Sequence, residues 1–261
     1  MTPFSVSGLT SILTQLLPEP HAGLLAGLLF GTKAALSTDL YNALVKSGTL
    51  HIIALSGMNI SILARMVTNS LLPVVGRRIA GLSILLLIAW FVWFVGPTST
   101  IVRAAIMGGL SILAILTGRQ YWAILSWALT VSIMLLINTS WLFDISFQLS
   151  ATATLGIILF GGEKKENVIK DNLRLTLAAQ VFTIPIIFFY FRRISLISPI
   201  ANLAIGWLVG PLTGLGWATA IAGWIFLPAG QIIAWVDWVL LHYLLMAVTW
   251  TAKIPFASLS L

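Results

Sequence analysis

Several side chains capable of polar chemistry lie in one apolar stretch near the front of the chain, His51-Ile-Ile-Ala-Leu-Ser-Gly-Met-Asn-Ile60. Imidazole, hydroxyl and amide groups inside a bilayer have no water to bond to, so each needs a protein partner or an aqueous cavity. On one helix over residues 50–73, His51, Asn59 and Arg65 would fall within an arc of about 120°. This spacing predicts a polar face that lines an aqueous pathway or, alternatively, bonds to neighbouring helices and fixes their packing.

Two further features of this stretch leave other arrangements open. The step from Ser56 to Gly57 could instead break the helix and expose backbone groups to a cavity. The long side chain of Arg65 could reach the nearby membrane interface instead of a pathway. Because His51 and Ser56 are five residues apart, they point different ways on a helix, and we do not expect them to form a catalytic dyad.

A second polar group opens the segment Phe143-Asp-Ile-Ser-Phe-Gln-Leu-Ser150. Asp144, Gln148 and Thr152 are each four residues apart, so they form one stripe on a helix. The carboxylate at the start of this segment is the N-cap of the helix, the partner of an Arg from another span, or part of a site lining a polar pathway. Arg103 lies on the same predicted side of the membrane, and an ion pair with it would offset the cost of holding each charge in low dielectric.

Asp237 lies well inside the last apolar segment, where a carboxylate either serves function or pairs with a neighbouring helix. His242, five residues further on, does not share its face. The chain has three widely separated His and no Cys, and this pattern gives no metal site. Neither a nucleotide-binding Gly-rich loop nor a Ser nucleophile elbow occurs. The sequence therefore predicts no cofactor, and it favours transport or channel work over catalysis.

The composition indicates which elements hold these groups. Hydrophobic residues make up 59% of the 261 residues, charged residues make up 8%, and the mean hydropathy is +1.04, whereas soluble domains carry roughly 25% charged residues. The predicted fold class is therefore all-α, a polytopic helical membrane bundle with about eight spans of roughly 20 residues each. We place the spans at residues 50–73, 79–96, 100–117, 121–138, 143–161, 172–191, 199–227 and 229–252.

The other segments complete the expected layout. Residues 1–20 are an N-terminal interfacial segment without the features of a cleavable signal peptide, and residues 21–31 are long enough only for a half-span or re-entrant element. The step from Gly210 to Pro211 predicts that residues 199–227 form two half-helices or one strongly kinked helix. The basic residues that follow the first, third and fifth spans share one side, which the positive-inside rule places in the cytoplasm: Arg77, Arg78, Arg119, Lys164, Lys165 and Lys170. Arg192 and Arg193 are the main exception on the other side. We therefore expect a multi-pass protein of the cytoplasmic (inner) membrane.

Small residues recur at every fourth position in the same late segment. Such a seam allows close contact between helices, either within the chain or between two copies. Its members are Gly206, Gly210, Gly214, Ala218 and Ala222.

Five motifs occur in an order that resembles a known membrane family: His51–Ile60, Arg103-Ala-Ala-Ile-Met107, Phe143–Ser150, Pro185 late in a span, and Ser198-Pro-Ile-Ala-Asn202. Over residues 21–261 the chain resembles the competence domain of the ComEC family, inner-membrane proteins of bacterial DNA uptake. The resemblance implies a path for single-stranded DNA, with pathway or core roles for His51, Ser56, Gly57, Arg103, Asp144, Gln148 and Asn202. Many relatives have His where this chain has Asn59, so a proton-linked role is not expected there.

The resemblance also implies partners besides single-stranded DNA and the lipid bilayer. Relatives often add an oligonucleotide-binding-like domain and a metallo-β-lactamase-like domain, neither of which is in this sequence, so we expect separate DNA-receptor, nuclease and motor proteins. The phosphates of a strand require basic groups along their track, and Arg65 and Arg103 are the intramembrane cations. A DNA strand also needs a wide aqueous opening, which a homodimer formed along the glycine seam could provide.

Two other functions compete with that of a DNA channel subunit. A secondary transporter for a small solute would use Asp144, Arg103 and Asp237 as its binding or coupling set, and it predicts proton- or sodium-dependent uptake. An intramembrane enzyme acting on lipid-linked substrates would use His51 and Asp144 as acid and base, and it predicts that both groups reach a common atom. The channel subunit, which is not an enzyme, is the leading hypothesis.

Overall fold

The computed structural model describes residues 4–32, 36–53, 57–162, 168–254 and 258–260. The chain divides into two compact units, one made of residues 1–55 with Ser195–Leu259 and the other of Ser56–Ile194 with the last two residues. Nearly all of the described residues are helical, which confirms the all-α fold class.

The helices follow one another with short connections. In chain order they are α1 (Val6–Leu16), α2 (His21–Phe30), α3 (Thr38–Ser47), α4 (Gly57–Val95), α5 (Ser99–Thr117), α6 (Ala123–Ile137), α7 (Ile145–Phe160), α8 (Val168–Phe191), α9 (Ser198–Ile225) and α10 (Leu227–Lys253). Two 3-10 turns, Leu50–Ile52 and Thr139–Phe143, and two short strands, β1 (Arg193–Ser195) and β2 (Ser258–Ser260), complete the described elements. The predicted spans from residue 100 onward match α5 to α10 to within a few residues.

Five of the described helical segments are long and apolar enough to cross a membrane: Pro73–Val95, Ser99–Thr117, Lys170–Phe191, Ser198–Ile225 and Leu227–Lys253. The predicted count of eight spans is not confirmed. The difference lies partly in α6 and α7, which have 15 and 16 residues and fall short of the roughly 20 residues that a plain span needs. The protein is nevertheless a multi-pass helical membrane protein.

The front of the predicted span 50–73 differs from the prediction. His51 lies in the 3-10 turn Leu50–Ile52, and α4 begins only at Gly57. His51 therefore does not share a helix with Asn59 and Arg65, and the predicted polar arc of all three residues is wrong. Further along, α4 is interrupted at Gly76, whose φ of 75° and ψ of 171° are not helical, so the two predicted spans persist as two helical segments.

The late segment is not two half-helices, because α9 is one helix of 28 residues that passes through Pro211. Proline removes one backbone hydrogen bond from a helix. Leu208, Val209, Leu212 and Thr213 on either side of Pro211 are buried in the first unit. This packing holds the helix across the missing bond, as neighbouring helices do for prolines in other membrane spans.

Glycines set the closest contacts of the first unit, but they are not those of the predicted seam. A Cβ at Gly216 would lie 2.7 Å from Leu25 of α2, and one at Gly223 would lie 2.7 Å from Leu16 of α1. One at Gly230 would lie 2.5 Å from the Cα of Gly223, so α9 and α10 meet backbone to backbone. Gly206 and Gly210, by contrast, have no such neighbour within 4 Å among the described residues. The glycines that the described structure places in these close contacts are therefore Gly216, Gly223 and Gly230.

The first two helices are integral to this unit. Within α1, Leu9 and Leu13 are fully buried, and every residue of α2 is buried. Ten residues rise about 15 Å, or about half of a bilayer core, and a buried half-span is a form that membrane proteins tolerate. The interfacial and re-entrant placements of residues 1–20 and 21–31 stay predictions.

In the second unit, α5, α6 and α7 surround a small apolar core of Met134, Phe147 and Ala151, with Val102 and Ile106 packed against it. The indole of Trp127 on α6 donates a hydrogen bond of 2.9 Å to the carbonyl of Ala151. On the other side of α7, Gly156 lies directly against the carbonyl of Ala178 in α8. This packing fixes α7 between its neighbours and so positions the polar groups along it.

Candidate functional site

The start of α7 is joined to the start of α5 through Asp144. The carboxylate of Asp144 is the N-cap of α7, because Oδ1 accepts a hydrogen bond of 2.9 Å from the backbone N–H of Ser146. Its other oxygen, Oδ2, accepts a hydrogen bond of 2.5 Å from the hydroxyl of Ser99, the first residue of α5. Of the roles predicted for Asp144, the structure shows the N-cap. The sequence missed Ser99, whose only signal was its place in the run Pro97–Thr100.

Arg103 lies one turn after Ser99 on α5, and its side chain is buried between α5 and α7. The residue is 9% exposed. Its Nη1 donates a hydrogen bond to the hydroxyl of Thr154 on α7, and its Nε has no hydrogen-bond partner among the described residues. The predicted ion pair with Asp144 is not formed, because the carboxylate bonds to Ser99 and Ser146 while the guanidinium points further along α7. The buried cation is thus held by a neutral group.

The residues of the predicted stripe on α7 have different hydrogen-bond partners. The side-chain amide of Gln148 donates to the carbonyl of Leu142 at 2.8 Å and to the hydroxyl of Tyr190 on α8 at 3.3 Å. The hydroxyl of Thr152 donates back to the carbonyl of Gln148 at 2.6 Å. Gln148 therefore ties α7 to the end of α8, while Asp144 ties it to α5.

A separate polar cluster in the first unit brings together two residues of the predicted site that are 151 positions apart in the chain. The carbonyl of Gly48 accepts hydrogen bonds from the ring Nδ1 of His51, at 3.2 Å, and from the hydroxyl of Ser198, at 3.4 Å. The amide of Asn202 donates to the oxygen of Ser198 at 3.3 Å, and its own carbonyl oxygen is buried without a partner among the described residues. His51 and Asn202 thus belong to one hydrogen-bonded cluster.

Gly48 makes this cluster sterically possible. It ends α3 in the left-handed conformation, with φ 72°, which glycine adopts most readily. A Cβ there would lie 2.6 Å from the Cβ of Ser198 and 2.9 Å from that of Ser195. The hydroxyl of Ser195 also donates to the carbonyl of Lys46 at 2.9 Å. The end of α3 and the start of α9 are therefore in direct contact. The sequence predictions missed Gly48, although a glycine directly after a helical stretch is a known stop signal.

Asp237 on α10 is fully buried, with 0% of its surface exposed. The hydroxyl of Thr219 on α9 donates a hydrogen bond to its Oδ2, and Oδ1 has no partner among the described residues. Asp237 therefore pairs with a neighbouring helix, which was one of the two predicted roles, and the buried oxygen leaves the other role open. The sequence missed Thr219.

Two histidines of the first unit also meet. The Nε2 of His21, at the start of α2, lies 3.4 Å from the Nδ1 of His242 on α10, and the ring of Trp238 stacks on both. Burial lowers the pKa of His21, the nearby His242 lowers it further, and Glu19 opposes this shift. This contact could not be predicted from the sequence, because the two histidines are 221 residues apart.

The other predicted site residues are only partly described. Asn59 on α4 is buried. Gly57 is the first residue of that helix, Ser56 lies outside the described residues, and the side chain of Arg65 is likewise outside the described part. Within the described residues, no group of three or more His, Cys, Asp or Glu side chains is placed to hold a metal ion.

Comparison with known proteins identifies the family. A sequence model of the competence protein family matches residues 28–261. Among curated proteins, ComE operon protein 3 of Bacillus subtilis (strain 168) is 26% identical over 196 residues, which cover 74% of this chain and 25% of that relative. The chain thus spans about a quarter of the length of that relative. No solved structure matches. The family match covers nearly the whole chain, including the contact of Ser99 with Asp144 and the cluster around Gly48. It confirms the resemblance seen in the sequence: the chain belongs to the competence protein family.

Proposed function

We propose that this protein is a subunit of a channel in the cytoplasmic membrane that passes single-stranded DNA into the cytoplasm during natural transformation. Membership of the competence protein family supports a role in DNA uptake. The observation that carries the channel proposal is Arg103, a cation buried in a bundle of apolar helices with a hydroxyl as its described partner. A buried charge without a counter-charge is expensive, and a passing phosphodiester would provide one.

The geometry suits an anion that binds and leaves. A guanidinium presents five N–H donors in a planar fork that matches the oxygens of a phosphate. Thr154 occupies one nitrogen, and Nε is buried without a partner among the described residues. A carboxylate in permanent contact would compete with the phosphate and weaken its binding. Asp144 instead stays bonded to Ser99 and the start of α7, so it leaves the cation available.

The test measures uptake of labelled single-stranded DNA into the cytoplasm of the native host. A deletion strain is complemented with the natural chain, with Arg103→Ala, with Arg103→Lys or with Arg119→Ala, after checking that each is made and inserted. Losing a hydrogen bond from a charged donor lowers binding about tenfold or more. We therefore expect at least about that loss for Arg103→Ala, partial activity for Arg103→Lys, and normal uptake for Arg119→Ala, whose side chain is exposed. Normal uptake with Arg103→Ala would remove the main support for the channel.

A second candidate function, that of a secondary transporter for a small solute, is favoured by Asp237. Its fully buried carboxylate has one oxygen without a described partner, and a buried intramembrane carboxylate is a common site for proton or sodium coupling. Proteoliposomes that carry the purified chain would then take up solute in response to a proton or sodium gradient, and Asp237→Asn would abolish the response. A lack of gradient-dependent uptake across a broad solute panel would argue against this function.

A further inference from the structure

One buried hydroxyl of the second unit has no hydrogen-bond partner among the described residues. Ser126, near the start of α6, is 5% exposed, and its Oγ is the unpartnered atom. Buried hydroxyls elsewhere in the helices bond to the carbonyl four residues earlier, as those of Thr130, Thr183 and Thr213 do. Because buried polar groups are normally satisfied, the exception at Ser126 needs an explanation.

The side chain of Ser126 faces the space between α5, α6 and α7. Ser126, Thr130 and Met134 are each four residues apart and all three are buried, so they form one stripe of α6. Met134, at the far end of this stripe, lies in one apolar core with Phe147 of α7, and Val102 of α5 packs against that core. The stripe therefore points toward both neighbouring helices.

Arg103 reaches the same space from α5. Its guanidinium bonds to Thr154 of α7, and its Nε is buried without a partner among the described residues. The indole of Trp127, the residue after Ser126, bonds to the carbonyl of Ala151 on α7. Thr154 follows Ala151 by three residues, which is about 5 Å along the helix. Ser126 and the guanidinium of Arg103 therefore lie at a similar depth between the three helices.

These two buried groups match a ligand oxygen that accepts hydrogen bonds. The Nε–H of arginine can only donate, and a serine hydroxyl has one proton to donate. The charge of the guanidinium favours an anion, and its donors form charge-assisted hydrogen bonds with phosphate oxygens. We propose that Ser126 is a second phosphate-binding residue, whose hydroxyl donates a hydrogen bond to an oxygen of the phosphodiester held by Arg103. This inference rests on the proposed channel function and adds α6 to the helices that contact the strand.

The first experiment measures binding of short labelled thymidine strands to the full chain purified in detergent micelles. One strand has ordinary phosphodiester links, and the other has uncharged methylphosphonate links. We expect Ser126→Ala to weaken binding of the phosphodiester strand about tenfold, which is the effect of losing one hydrogen bond to a charged group. Binding of the uncharged strand should not change.

Thr130→Val is the matched control for this change. Thr130 lies one turn from Ser126 on the same buried stripe, but its hydroxyl already bonds to the carbonyl of Ser126. We therefore expect Thr130→Val to bind both strands as the natural chain does. A loss in Thr130→Val equal to that in Ser126→Ala would assign the effect to the packing of α6 and would overturn the proposal.

Thermal unfolding and uptake by the native host separate a binding role from a structural one. Removing a buried hydroxyl that has no partner in the fold should leave the melting temperature unchanged or raise it. Uptake of single-stranded DNA should nevertheless fall about tenfold in Ser126→Ala. A lower melting temperature would show that the hydroxyl is bonded within the fold, and it would overturn the proposal.

The same measurements distinguish this inference from the proposed function. Weaker binding and uptake in Arg103→Ala but not in Ser126→Ala would overturn the role of Ser126 and leave the channel proposal in place. Unchanged binding and uptake in both variants would overturn both.

Discussion

Ser99, at the first turn of α5, donates a hydrogen bond of 2.5 Å from its hydroxyl to the carboxylate of Asp144, the N-cap of α7. Two helices that start 46 residues apart are therefore held together at their first residues. Arg103 and Thr154 form a second contact between the same helices. The two contacts place α5 and α7 side by side and running in the same direction.

Removing either partner of the first contact should destabilise the protein. We expect Asp144→Ala to lose about 1 kcal/mol through the missing cap, and Ser99→Ala to lose a similar amount through the missing hydrogen bond. The double variant should lose less than the sum, because both changes break the same contact. Unfolding in mixed micelles measures these values. Asp144→Asn is the control, because asparagine caps helices about as well, and additive losses would contradict the coupling.

Gly48 should not tolerate even a methyl group. We expect Gly48→Ala to destabilise the first unit by about 1–3 kcal/mol, since the left-handed backbone and the close approach of Ser198 both oppose a Cβ. Gly206→Ala is the matched control, because its Cβ would meet no atom of the described residues within 4 Å. Thermal unfolding of the two variants side by side gives the comparison, and an equal melting temperature for both would show that the contact at Gly48 is not tight.

The pair of Thr219 and Asp237 should behave as one unit. Thr219→Val leaves a buried carboxylate without its donor, which we expect to cost about 1–3 kcal/mol. Adding Asp237→Leu to Thr219→Val should restore much of this stability, because replacing both polar partners with apolar groups is nearly neutral. The free energy of unfolding in mixed micelles tests both variants. If the double variant were as unstable as Thr219→Val or less stable, the carboxylate would have a further partner.

The stability of the first unit should fall in mild acid through His21. This residue lies in α2, which is not among the five helices that can span a membrane. Because the folded state lowers its pKa below the ordinary value of 6.5, the unfolded chain binds the proton first as the pH drops. We expect the free energy of unfolding to be highest above about pH 7.5 and to decrease as the pH drops below about 6.5.

Melting temperatures at pH 8 and pH 5.5 measure this effect. His21→Gln should reduce the difference between the two temperatures, and His242→Gln should reduce it by less, because burial lowers the pKa of His21 more than its neighbour does. An undiminished difference in His21→Gln would assign the pH dependence to other groups.

The predicted homodimer has a specific surface to test. In the part of the chain that the structure describes, Gly206 and Gly210 have no atom within 4 Å of a built Cβ. Leucine at both positions should therefore leave each chain folded but block the approach of a second copy. Light scattering in nanodiscs should give a dimer for the natural chain and a monomer for the double variant. A monomeric mass for the natural chain would rule out the dimer.

The sequence predicted the helices well, because hydropathy and punctuation by glycine and proline act locally. The class and most boundaries from α5 onward were correct. The errors came from features that packing decides. Pro211 did not break α9, since buried neighbours hold the helix, and the turn at Leu50–Ile52 removed His51 from α4.

The site could be predicted only in part. Asp144 as an N-cap follows from its place before an apolar run, and the structure agrees. The partners Ser99, Thr154 and Thr219 could not be predicted, because hydroxyls are common in apolar helices and their contacts depend on which helices meet. Arg103 was expected to find a carboxylate, and it found a hydroxyl because Asp144 bonds elsewhere.

The backbone contact between Gly223 and Gly230 also bears on how the chain is made. These glycines flank the turn at Phe226, where α9 ends and α10 begins. Two helices joined so tightly can enter the bilayer together as a hairpin instead of one after the other. Asp237 would then contact Thr219 before it enters the hydrocarbon. Its carboxylate would therefore already accept the hydrogen bond of Thr219 when the two helices insert into the bilayer.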